Sequence, residues 1–169
     1  TVPVTWEGVP PTTMTLAGGD GFKTIYLHVR DAAGNTAYAT DTITLDTTGP
    51  AITSFPLPAA TNTAAQSFTI TATDVTSGMA SYDVGGGGVQ SGFSSTTSSE
   101  SVGASFTLLT PDGAKEVTLT VSDAAGNITS GSYSTTLDTL VPTVASLALD
   151  GGALYTDNES VGITVGATD

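Results

Sequence analysis

Oxygen-bearing side chains are the abundant reactive groups in this sequence: 16 Asp plus Glu stand against three Lys plus Arg, one His and no Cys. Without thiolates, disulfide staples and structural thiolate zinc sites are ruled out. What remains open is hard-cation chemistry. Calcium takes roughly six to eight oxygens at 2.3–2.6 Å from carboxylates, amides, backbone carbonyls and water. The acidic residues that recur in a fixed context are the candidates. Asp31 and Asn35 bracket Asp-Ala-Ala-Gly-Asn, and Asp123 and Asn127 bracket the same pentapeptide 92 residues later. Asp46 and Asp138 follow Leu and precede Thr, again 92 apart, while Asp74 and Asp169 end two copies of Ala-Thr-Asp that are 95 apart. A second account of these residues stands beside the metal. Asp-Ala-Ala-Gly-Asn is a good hairpin turn, with Asp and Asn capping backbone groups and Gly accepting positive φ, and Asp46 and Asp138 would cap a turn ahead of proline. Turn formation alone would account for the recurrence.

Other chemistries lack their groups. A hydrolase needs a nucleophile–base pair or two carboxylates on a pocket; the one histidine, His28, falls on the outer face of its strand, and no Gly-x-Ser-x-Gly or P-loop pattern occurs. The chain is therefore not expected to be an enzyme. An intramolecular Lys–Asn crosslink would rest on Lys23 or Lys115, both beside an Asp-Gly loop where a buried reactive amine is not expected. Tyr26 and Tyr38 are candidate sugar-stacking aromatics, but their counterparts are Thr118 and Ser130, so a sugar site repeated in every unit is disfavoured. A net charge of −13 repels phosphate backbones and anionic lipid, so nucleic-acid binding is excluded. No run of about 18 apolar residues is present, so no membrane insertion is expected in this segment, and any secretion signal or anchor is expected outside it.

The elements that must position the candidates follow from the repeat. Asp20–Asn35 and Asp112–Asn127 align throughout, as do Leu45–Pro50 and Leu137–Pro142. Proline and glycine in the second pair mark linkers. The expected organisation is the C-terminal part of one domain over 1–46, a complete domain over 47–138, and the opening strands of a further domain over 139–169. Within these, apolar residues alternate with polar ones, as in a sheet with one face on a core. Ile25, Leu27 and Val29 match Val117, Leu119 and Val121 as the inward set; Phe68, Ile70 and Ala72, then Val161, Ile163, Val165 and Ala167, do the same elsewhere. Trp6, in phase with Val2 and Val4, is expected in a core. The Gly- and Ser-rich stretch 84–103 reads as a loop with short, poorly specified middle strands. High Gly, Thr and Ser content suits all-β architecture. The predicted fold class is all-β: tandem immunoglobulin-like antiparallel β-sandwich domains of about 92 residues per repeat.

An apolar alternating strand, Asp-Ala-Ala-Gly-Asn, a Thr/Ser-rich strand and Leu-Asp-Thr-x-x-Pro together resemble the tandem bacterial immunoglobulin-like (Big-type) repeats of giant adhesins and other large extracellular surface proteins. The resemblance covers essentially the whole chain. It implies a cell-surface or secreted location and a structural extender role that holds an adhesive tip away from the cell. It also implies that calcium at domain junctions stiffens the rod. The partners it implies are further repeats of the same chain, with other copies or a surface filament as a further possibility.

In a seven-strand sandwich, the loop after the second strand and the turn between the last two lie at the end where the chain enters. Asp74, Asp123 and Asn127 would then face the incoming linker, which carries Asp46. Those four residues with linker carbonyls make an adequate calcium set; Asp138 with Asp169 would form half of the next site, and Asp31 with Asn35 half of the preceding one. The expected function is a non-enzymatic adhesin-type stalk. The alternative is an extracellular filament or sheath component assembled through strand complementation or lateral packing.

Overall fold

The computed structural model describes residues 12–169; Trp6, Val2 and Val4 lie outside the described residues. The polypeptide is all-β. Its strands are β1 (Gly21–Arg30), β2 (Thr36–Leu45), β3 (Ala51–Ser54), β4 (Ala60–Thr61), β5 (Ala65–Thr73), β6 (Met79–Gly85), β7 (Val89–Ser91), β8 (Phe93–Thr96), β9 (Ser101–Leu108), β10 (Gly113–Asp123), β11 (Ile128–Leu137), β12 (Thr143–Leu149) and β13 (Ile163–Thr168), with one 3₁₀ turn at Asp150–Gly152. No helix among the described residues is long and apolar enough to cross a membrane.

Two sheets from the middle of the chain face each other. One has the order β3-β5-β9-β7 and the other β4-β11-β10-β6-β8, antiparallel throughout except where β4 runs parallel to β11. The alternation expected of half-buried strands supplies the core: Ile70, Ala104, Phe106 and Leu108 from one sheet meet Tyr82, Val84, Val117, Leu119, Val121 and Leu137 from the other. The rings of Phe55, Phe68, Phe106 and Tyr133 pack with neighbouring centroids 4.5–6.3 Å apart, a range that suits tilted and edge-on aromatic contacts. Lys115 corrects the sequence expectation for its amine. It shares the inward phase of Val117 and Leu119, so its side chain is buried, and Nζ donates to the backbone oxygen of Pro111.

The Gly-rich stretch resolves into β7, β8 and the start of β9. Two of its glycines serve close approach: a Cβ at Gly88 would meet the backbone of Glu116, and one at Gly92 the carbonyl of Val84.

Flanking this sandwich are two separate hairpins, β1–β2 and β12–β13. β1–β2 has the same register as β10–β11: Gly21 pairs with Leu45 and Arg30 with Thr36, as Gly113 pairs with Leu137 and Ser122 with Ile128. The hairpin β12–β13 likewise shares with β3–β5 an irregularity at the same place, between Val144 and Ser146 as between Ile52 and Ser54. Both hairpins leave apolar side chains open, with Leu27, Val29 and Ile43 on one and Val144, Leu147 and Val165 on the other all at least 49% exposed.

Candidate metal centre

Three segments distant in sequence meet at one end of the sandwich. Asp46 follows β2 at the start of the linker, Asp74 follows β5, and Asp123 ends β10. Their carboxylates offer ligand atoms all within 4.8 Å of one another, the one such group of three or more among the described residues. Asp123 is 2% exposed and Asp46 8%.

Each carboxylate is fixed first by turn chemistry. Asp74 Oδ1 accepts from the backbone N–H groups of Thr76, Ser77 and Gly78 at 2.9–3.1 Å, closing the β5–β6 loop. Burial pushes the Asp74 carboxyl up, but the N–H groups of Ser77, Gly78 and Thr76 outweigh it and hold it below the ordinary carboxylate value. Asp123 Oδ1 accepts from the Asn127 N–H at 2.8 Å across the β10–β11 turn. Asp46 Oδ1 accepts from the Thr48 N–H at 3.1 Å.

Asp46 Oδ2 is different: it is buried with no hydrogen-bond partner. Facing carboxylates hydrogen-bond to each other only when one carries a proton, and Asp74 is biased toward its charged form. Ionised together, two such groups repel by about 4 kcal/mol at 4 Å in an effective dielectric of 20. A buried oxygen without a donor beside two further carboxylates is a place that a water or a cation would satisfy. The donor set is all oxygen, the kind that suits hard divalent ions.

Asn127 stands beside the carboxylates as a brace. Its Nδ2 donates to Asp123 Oδ2 at 2.8 Å and reaches the backbone oxygens of Asp46 and Thr48 at 3.2 and 3.5 Å. The amide nitrogen thus ties the linker to the turn. In the first hairpin Asp31 and Asn35 reproduce the turn, with Asn35 donating to Asp31 from N and Nδ2, both at 2.8 Å, but both residues are exposed and belong to no group of three. Asp138 and Asp169 are exposed and likewise belong to none; Asp138 Oδ1 accepts from the Leu140 N–H at 3.2 Å.

One contact class escaped the sequence. Asp20 Oδ1 accepts from Thr47 N and Oγ1 at 3.0 and 2.8 Å, and Oδ2 from Thr48 Oγ1 at 2.6 Å. The Thr48 hydroxyl, then that of Thr47, hold the Asp20 carboxyl below its ordinary value. Asp112 grips Thr139 in the same way, with Thr139 N at 2.7 Å. The signal was present in the recurring Asp-Gly before each strand and Asp-Thr after its partner. Asp20 therefore holds the linker from the β1–β2 side while Asn127 holds it from the sandwich side.

Gly49 lets the linker lie close. A Cβ there would sit 2.8 Å from Thr129 Oγ1 and 3.3 Å from the Ile128 carbonyl. Gly49→Val is expected to lift the linker, at a cost of about 1–3 kcal/mol, and to separate Asp46 from Asp123. Urea denaturation followed by circular dichroism checks this: the variant should lose about that much stability relative to the parent.

No family model and no curated protein matches the chain.

Proposed function

We propose that residues 47–138 form one module in a tandem array of immunoglobulin-like domains, about 92 residues per repeat, within a large extracellular protein of the Big-type repeat class. The segment acts as a non-enzymatic extender, and calcium closes the junction between modules. The observation that carries this reading is the burial of Asp46. It directly follows β2, the second strand of one hairpin, yet lies buried beside Asp74, Asp123 and Asn127 of the following sandwich, with one oxygen unpartnered. Shared register and turn bonds in β1–β2 and β10–β11 support the repeat.

When bound, calcium supplies positive charge that three facing carboxylates lack. Asp46, Asp74 and Asp123 would hold it, while Asn127 and Asp20 keep the linker in place from either side. Loss of the ion leaves repelling carboxylates and a looser joint. Small-angle scattering on the chain tests this: calcium should lengthen and narrow the particle relative to chelator, and identical curves would refute the closed junction.

A filament joined by strand complementation is the second reading, favoured by the open apolar faces of β1–β2 and β12–β13. The same scattering series separates the two, since a filament predicts mass that rises with concentration and an extender predicts constant mass.

A further inference from the structure

The hairpins β1–β2 and β10–β11 share backbone, register and turn, yet their outer faces differ in kind. In β10–β11 that face carries Thr118, Thr120 and Ser130, with Thr120 and Ser130 hydroxyls 3.0 Å apart. At the matched positions β1–β2 carries Tyr26, His28 and Tyr38. The fold therefore has no need of these rings. They are also dearly exposed for aromatic groups, Tyr26 at 62% and Tyr38 at 79%. His28 pairs with Tyr38 across the hairpin, their ring centroids 6.1 Å apart, and Tyr26 pairs with Thr40. The two phenols thus lie diagonally, about 7–8 Å apart at their attachment points.

We propose that the outer face of β1–β2 is a binding platform for a neutral saccharide, built on Tyr26 and Tyr38 with His28 as a hydrogen-bonding group beside them. Area and charge select this occupant. A Tyr side chain buries about 150–250 Å², so two fall well short of the roughly 1,000 Å² that a stable protein interface requires. Flat rings among the hydroxyls of Thr24, Thr40 and Thr42 suit the C–H face of a sugar ring and the hydroxyls around it. A net charge of −13 disfavours acidic polymers. The matched face of β10–β11 lacks the platform, so it adds recognition to a segment otherwise read as a spacer, and it is independent of the cation.

The test is calorimetric titration of the full chain with neutral hexasaccharides (cellohexaose, maltohexaose, mannohexaose and the N-acetylglucosamine hexamer) and with oligogalacturonate as the acidic counter-probe, each in calcium and in chelator. Tyr26→Thr and Tyr38→Ser install the residues that β10–β11 already tolerates at these positions. A neutral oligosaccharide is expected to bind in both conditions, with each substitution weakening it about tenfold and circular dichroism unchanged. The paired substitution Thr118→Tyr with Ser130→Tyr should create a second, weaker site. The proposal is overturned if no neutral oligosaccharide binds, if both tyrosine variants bind as the parent does, or if oligogalacturonate alone binds.

Discussion

Replacing Asp46 with Asn is expected to raise the melting temperature in chelator and lower it in calcium, relative to the parent chain. On the proposed site, calcium at a hundredfold excess over its dissociation constant would stabilise the parent's folded state by about 2.7 kcal/mol. For a domain of this size each kcal/mol moves the midpoint by about 4–8 °C, so the calcium-dependent rise should be roughly 10–20 °C by combination of the two scales. Asp46→Asn keeps Oδ1 as acceptor for the Thr48 N–H. It replaces the unpartnered buried Oδ2 with an N–H₂ group that donates to the Asp74 and Asp123 carboxylates. One negative charge leaves a cluster of three, and an orphaned acceptor becomes a satisfied donor. In chelator this should gain about 1 kcal/mol. In calcium the same change removes a charged ligand, and most of the metal-dependent rise goes with it. Differential scanning calorimetry of both proteins in both buffers reads the crossing. A variant that is less stable in both conditions, or a parent that ignores calcium, would leave these carboxylates as turn formers only.

The strands were legible in the sequence wherever apolar and polar residues alternate. Val117, Leu119 and Val121 announce a buried face because each intervening Thr or Ser is content in water, and β10 buries that set. Ser/Thr/Gly-rich strands lack this contrast. β7 and β8 are positioned instead by backbone approach at Gly88 and Gly92, a constraint that a hydropathy pattern does not encode. The convergence of Asp46, Asp74 and Asp123 was legible because recurrence and sandwich topology both point to the same end of the domain. The direction of a side-chain amide was not: Asn127 offers oxygen and nitrogen alike, and only its neighbours, all acceptors, determine that nitrogen faces them. Lys115 misleads for a related reason. Its charge suggests a surface position, but strand phase directs its stem inward and the Pro111 carbonyl receives the ammonium.

The same residue type at matched positions gives the second large effect. Leu119 is fully buried in the core shared by the two sheets, so Leu119→Ala is expected to destabilise the sandwich by about 2–5 kcal/mol. That is a large part of the roughly 5–15 kcal/mol that holds a typical domain folded. Leu27 occupies the corresponding place in β1, in the same register, but is 52% exposed. In this chain Leu27→Ala should leave the main unfolding transition within about 0.5 kcal/mol of the parent. Urea denaturation followed by circular dichroism measures both. The contrast becomes a test of the array when a repeat-length segment precedes β1: if that segment covers the β1–β2 face as β5 and β9 cover β10, Leu27→Ala should then cost as much as Leu119→Ala. Equal costs already in the present chain would mean that the face is not open. A cost that stays near zero in the longer chain would mean that β1–β2 is not the closing hairpin of a preceding domain, and the tandem reading would fall with it.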